Sequence, residues 1–244
     1  MIVTGDVPET VTAALTDQQV EGRVCLEAGA GVGNTTAGLL AAGAERVYAV
    51  TNDADHATTV RNRVGDGNAD RLAVVEADLR ATPLATDSID FVTAHGLCNV
   101  LPPIELDAVA TELTRVARPD SRLVVDDYAV PPADAAVNRL FTLENAAAQV
   151  VDGRPALTFY PPAVLAAVFA VGGWTVERRK TLLNPVPWTE AHLDAHAEVV
   201  REYAAALPDL LGEPLTAMAE ELIAGIGSER TGTMYSLAFR LADV

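Results

Sequence analysis

Lysine is almost missing from this chain. Lys180 is the only one in 244 residues, and 17 basic residues face 34 acidic ones for a net charge of −17. A surface that acidic repels nucleic-acid phosphates unless basic residues cluster locally. Cysteine is scarce too, with Cys25 and Cys98 alone. Because Cys25 falls in a run that reads as a buried strand, a packed thiol is expected rather than a disulfide. No residue set resembles a zinc site, so no metal is expected. No apolar run is long enough to cross a bilayer, and the start MIVTGDVPETV lacks a basic region followed by an apolar stretch. The expectation is a cytoplasmic protein without membrane contact.

What is present is ample core material. Half the residues are hydrophobic, and the length fits one α/β domain with an elaboration. The acidic, lysine-poor, Ala- and Val-rich composition resembles proteins of salt-rich, haloarchaeal-like cytoplasms. At high salt the screening length falls to about 3 Å at 1 M, which mutes acidic repulsion. A nucleic-acid partner is therefore disfavoured by charge but stays open.

The chain is organised around residues 23–40, RVCLEAGAGVGNTTAGLL. Val24, Cys25 and Leu26 read as a strand buried on both faces. Glu27 stands at its carboxyl end, and Gly29, Gly31 and Gly33 follow at alternate positions before a helix-forming segment. Glycines there let the backbone turn sharply and let a ligand approach the free N–H groups of a helix start. A dinucleotide fingerprint, G-x-G-x-x-G, fails at Asn34, whereas E-x-G-x-G-x-G fits in full. With this motif, and with later segments recurring in the family's order to about Asp127, the chain resembles the class I S-adenosylmethionine-dependent methyltransferases.

Further strands are expected at 46–50, 72–75, 89–94, 122–126, 174–182 and 233–241, and helices at 9–16, 35–42, 54–64, 104–118, 133–150 and 161–171. Residues 118–121 read as a turn. The resemblance implies an α/β fold: a doubly wound, seven-stranded, mostly parallel sheet (Rossmann-like methyltransferase fold) with a helical insertion before the last strand. A single domain is expected over 1–244, with a leading helical segment at 1–22 and the insertion at 187–230. That insertion could be a lid, a homodimer surface or extra packing.

The resemblance also implies a cofactor, S-adenosyl-L-methionine, and residues to hold it. Glu27, Gly29, Gly31 and Gly33 form the first turn. The ribose-binding acid of the second strand falls on Thr51 by register, which leaves Thr51, Asn52 or Asp53 for the hydroxyls; Asp53 serves equally as a helix cap. Asp78 matches the position that accepts from the adenine amine, with Leu79 beside the ring. His95 follows the fourth strand, under the sulfonium. Its ordinary pKa of about 6.5 suits a general base, and packing of the cofactor by its backbone is the competing reading. Asp126 and Asp127 follow the fifth strand and could hold a substrate hydroxyl or amine, and surface solvation accounts for Asp127 equally well. Tyr128 and Tyr160 are candidates for the acceptor pocket. NVLPP at 99–103 is not the N-P-P-Y signature of amino-directed nucleic-acid methyltransferases.

The expected activity is methyl transfer to a small-molecule acceptor. The alternatives are a cofactor-binding or interaction protein without transfer, and methylation of RNA or protein.

Overall fold

Pro8, with φ fixed and no N–H to lose, opens the first helix, α1 (Glu9–Leu15). In the computed structural model residues 7–243 are described. Strand β1 (Val24–Ala28) leads through the glycine turn into α2 (Asn34–Ala41). β2 (Arg46–Thr51), α3 (Ala54–Val64), β3 (Leu72–Glu76), β4 (Ile89–His95), α4 (Pro103–Val116) and β5 (Ala117–Tyr128) follow. The strands are short apolar runs because helices cover both faces of the sheet. α1, α2 and α3 pack Val11, Leu39 and Val60 against Cys25, Val47 and Phe91 on one face. α4 packs Leu106 and Leu113 on the other, beside Leu165 and Phe169 of α6 (Pro162–Val171), over Leu26, Val92 and Leu123.

With β6 (Trp174–Leu183) and β9 (Met234–Leu241), the seven-stranded sheet has the order β3-β2-β1-β4-β5-β9-β6. Its pairs are parallel from β3 to β5. β9 runs antiparallel between β5 and β6. This is the doubly wound, mostly parallel sheet that the family resemblance implies.

Two local features differ from the sequence reading. Residues 118–121 are not a turn outside the fifth strand. They form a bulge within a longer β5, where the pairing slips between Ile89↔Ala117 and Phe91↔Arg122 and Asp120 takes φ 63°. Pro119 and the left-handed Asp120 mimic a turn signal, yet Arg118, paired with Asp90, and the Ser121 hydroxyl, donating to the Ile89 carbonyl, keep the segment on β4. A second, two-stranded sheet, β7 (Val186–Trp188) with β8 (Glu229–Thr231), also escapes the sequence pattern. Strands of three residues are too short to show a period.

Between β7 and β8 lie α7 (Glu190–Ala205) and α8 (Asp209–Ile226). They pack on α5 (Val137–Asp152) through Leu143, Ala147, Ala197, Val200, Ala219 and Leu222. α5 starts at Val137 rather than 133, because the Glu229 carboxylate accepts from the N–H groups of Ala136 (3.0 Å) and Val137 (2.8 Å). The end of the insertion thus caps the helix on which it rests. At the other end of the molecule Lys180 Nζ donates to the Ala13 carbonyl (2.7 Å) and Arg178 to that of Ala14 (3.1 Å). These last-turn carbonyls of α1 have no intrahelical partner and favour cations.

Glu229→Ala removes the cap on α5 and is expected to cost about 1–2 kcal/mol. Urea unfolding at constant salt reads this directly, and an unshifted midpoint would show that the cap adds nothing to stability.

Candidate active site

Glu27, one residue before the end of β1, is 2% exposed and faces the first turn of α2. The first residues of α2 receive no side-chain cap from Gly33, and the Thr36 hydroxyl donates to Glu27. Burial pushes the Glu27 carboxyl up to about 7, against the opposing pull of Thr36, the charge of His95 and Thr35. Between Glu27 and the helix, Gly29, Gly31 and Gly33 take φ of 76°, 49° and 82°. A Cβ at Gly29 would lie 2.8 Å from Leu97 Cδ1, whereas one at Gly31 would meet nothing within 4 Å. The turn thus packs closely at its first glycine and faces open space at the second.

β4 and β5 are parallel neighbours with His95 opposite Asp126. Their side chains meet, His95 Nδ1 lying 3.0 Å from Asp126 Oδ2. An ionised carboxylate only accepts, so the proton sits on Nδ1 and Nε2 is left as the basic atom of the neutral ring. Burial lowers the His95 pKa, but the bond to Asp126 and the charges of Asp126, Glu27 and Asp127 outweigh it, and the net direction is upward. Asp127 points to the other side of β5. It is fully buried and accepts from the N–H of Asn99 (3.0 Å) and of Tyr128 (2.7 Å). Burial raises its carboxyl to about 7 despite those bonds. The reading of Asp127 as a solvated surface acid is therefore corrected: the alternation that turns Asp126 toward His95 turns its neighbour into the core.

Asn99 belongs to a single 3-10 turn, Cys98–Val100, after β4. Its carbonyl accepts from the Thr158 N–H (2.7 Å), which ties the segment beyond α5 across this turn. Tyr160 serves the same tie, its hydroxyl donating to the Leu101 carbonyl (2.8 Å). Tyr128 stacks against Trp188, ring centroids 5.3 Å apart, in the core under the insertion.

Beside the glycine turn lies a cleft of about 190 Å³. Gly29, Thr51, Asn52, Asp78 and Leu79 line it together with Leu97, Val100, Leu101, Glu105, Val109, Arg80 and Arg154. Asp78 is held by Arg80, whose Nε lies 3.0 Å from each carboxylate oxygen and whose backbone N–H donates at 2.8 Å. That guanidinium, more than the backbone bond, keeps the Asp78 carboxyl below its ordinary value. The loop is pinned to α4 where Glu112 accepts from the Thr82 N–H and hydroxyl, both at 2.7 Å. Asp53 does not line the cleft. Its Oδ1 caps α3, accepting from Asp55 N (2.8 Å) and His56 N (2.9 Å).

The geometry brings Gly29, Thr51, Asn52, Asp78 and Leu79 into one cleft, and Glu27, His95 and Asp126 into an adjoining buried group. Arg80, Glu105 and Arg154 have no counterpart in the sequence reading. Arg80, two residues after Asp78, was the one detectable signal. Among the described residues no group of three His, Cys, Asp or Glu is arranged to hold a metal, and no helix is long and apolar enough to cross a membrane.

Comparison with known proteins gives this arrangement a family. A model of a methyltransferase domain matches residues 25–120. Ribosomal RNA small subunit methyltransferase A of Anaeromyxobacter dehalogenans is 32% identical over 225 residues, which cover 78% of each chain. The chain belongs to the class I S-adenosylmethionine-dependent methyltransferases. A demethylmenaquinone methyltransferase of Clavibacter sepedonicus is 37% identical over 115 residues, 46% of this methyltransferase and 44% of the relative, so the match spans less than half of either. The geranyl diphosphate C-methyltransferase of Streptomyces coelicolor, solved with Mg2+, geranyl diphosphate and S-adenosyl-L-homocysteine, superposes with a TM-score of 0.59 at 13% identity. That match covers 95% of this chain and 75% of the other.

Glu27 and Asp127 bind a proton more tightly in the folded chain than their ordinary values of 4.5 and 3.8 allow. Their contribution to stability is complete below those values and is lost as the pH rises through about 7, and His95, also raised, acts in the same direction. Glu27→Gln is expected to flatten the fall in stability between about pH 5 and 8 by on the order of 2–3 kcal/mol. Urea midpoints across that range, taken at one salt concentration, test this. Parallel wild-type and variant curves would place the proton elsewhere.

Proposed function

We propose that this protein binds S-adenosyl-L-methionine at the carboxyl ends of β1, β2 and β3 and transfers its methyl group to a small-molecule acceptor over β4 and β5. The observation that carries the reading is the glycine turn after β1, where a Cβ at Gly31 would meet nothing within 4 Å and Gly29 lines the cleft. The residues fit the cofactor's chemistry. Glu27 offers negative charge to the ammonium of the amino-acid half, and Thr51 and Asn52 offer neutral hydrogen bonds to the ribose. Asp78, steadied by Arg80, accepts from the adenine amine, and Leu79 and Leu97 are apolar enough to flank the ring.

The bound cofactor supplies an already activated methyl group, so the protein chiefly aligns the acceptor and excludes water. His95 serves as the general base through Nε2, with Asp126 fixing its tautomer and stabilising the imidazolium that forms.

A second reading, RNA methylation, is favoured by the 78% coverage of the ribosomal RNA methyltransferase. The net charge of −17 and the missing N-P-P-Y signature weigh against it.

Gly31→Ala is expected to fold, with about 1 kcal/mol lost at its positive φ, and to weaken S-adenosylhomocysteine binding at least tenfold (about 1.4 kcal/mol). Calorimetry that finds wild-type affinity would take the turn out of the site. For the acceptor, a cell extract incubated with protein and methyl-labelled cofactor should carry its label in dialysable material before and after ribonuclease treatment. Label retained in intact RNA would instead establish the second reading.

A further inference from the structure

Next to the glycine turn the cleft is walled by residues 97–101, of which Leu97, Val100 and Leu101 line it. The wall's own structure is slight. It is one 3-10 turn, closed by Val100 N–H on the Leu97 carbonyl (3.2 Å) and Leu101 N–H on that of Cys98 (3.1 Å). A turn that short has little stability of its own, and the bonds that fix it come from outside. Asn99 N–H donates to Asp127 Oδ2 of β5 (3.0 Å), and the Asn99 carbonyl accepts from Thr158 N–H (2.7 Å). At the far end the Leu101 carbonyl accepts from the Tyr160 hydroxyl (2.8 Å). Residues 157–160 are fixed in turn. The Asn145 side chain of α5 bonds both the Leu157 N–H (2.7 Å) and its carbonyl (3.1 Å), and the Tyr235 hydroxyl of β9 donates to the Tyr160 carbonyl (2.8 Å).

Stability alone does not account for Asp127. It is fully buried, and burial pushes its carboxyl up to about 7. A buried charge is weak evidence for stability, and β5 forms its ladders with β4 and β9 through the backbone. What the carboxylate adds is a hold on Asn99. The residue placed by that hold is Leu97, which meets the glycine turn so closely that a Cβ on Gly29 would lie 2.8 Å from its Cδ1.

We propose that Asp127 and Tyr160 are positioning residues for cofactor binding: they clamp the wall at Asn99 and at Leu101, and so hold Leu97, Val100 and Leu101 where the cofactor packs. The inference rests on the reading of this cleft as the S-adenosylmethionine site. Asp127, fully buried, acts through Asn99 rather than by contact with the ligand. A carboxylate suits the place because it only accepts, so the N–H groups of Asn99 and Tyr128 both point at it without a competing donor. With either end released the wall drifts, and a displacement of about 1 Å is enough to spoil a fitted site.

Calorimetry with S-adenosylhomocysteine at about pH 8.5, where Glu27 and Asp127 are both ionised, tests the clamp. Asp127→Ala removes the acceptor, and an affinity at least about tenfold below wild type is expected. Asp127→Asn keeps one oxygen for the Asn99 N–H, so an affinity within about threefold of wild type is expected. Tyr160→Phe removes one hydroxyl from the other end without touching a charge. Its expected loss is about three- to tenfold, and it decides the matter if Asp127→Ala does not fold. Wild-type affinity in Asp127→Ala or in Tyr160→Phe overturns the proposal. An Asn variant as weak as the Ala variant also overturns it, because charge and not the hydrogen bond to the wall would then be at work. Should the wild-type protein itself fail to bind S-adenosylhomocysteine, the cofactor reading falls and the positioning role falls with it.

Discussion

A carboxylate buried at the mouth of a helix sets the terms for this molecule. Glu27 sits near the carboxyl end of β1 and contacts the first turn of α2, so its charge is opposed by burial and supported by Thr36 and His95. The balance is close, which is why the group titrates near neutrality rather than as an ordinary acid. The fold tolerates it because the sheet order places β4 beside β1 and β5 beside β4, so His95 and Asp126 share its edge. A parallel sheet wound in both directions gathers such strand ends in one place by topology alone.

The helical unit of α5, α7 and α8 follows a different logic. Its own small core is apolar, but its junctions are charged: Glu229 caps α5, and His196 of α7 contacts the buried Glu144 of α5 at 2.7 Å. Capping and a buried hydrogen-bonded pair fix orientation more than they add stability. The exposed arginine pairs around the cleft, such as Arg80 with Asp78, contribute little to folding at high salt, where screening is strong. Their effect is positional, since Arg80 holds the side chain that faces the cleft.

Most of the sheet was legible because its strands are uniformly apolar runs between turn residues, and E-x-G-x-G-x-G marks the first turn without help from the rest. Cleft residues Thr51, Asn52, Asp78 and Leu79 were legible by register, since each follows a strand whose end is well marked. Glu105 and Arg154 were not, because they come from the first turn of a helix and a helix-breaking loop, and only folding brings them to the cleft. Of the readings open for Asp127, solvation fails for a simpler reason: a charged residue after a strand reads as solvated, and nothing local shows that this side chain turns into the core. The β7–β8 ribbon lies below the length at which alternation can be seen.

The scarcity of lysine has a chemical corollary. Lys180 Nζ is committed to the Ala13 carbonyl, and Arg178 holds the neighbouring one. The chain therefore carries a single side-chain ammonium, and that one clasps the end of α1 to the edge strand. An acylating reagent applied to the folded protein would find one side-chain target, and its rate of attack would follow how often the clasp lets go. The protein comes with a built-in reporter for the detachment of its leading helix.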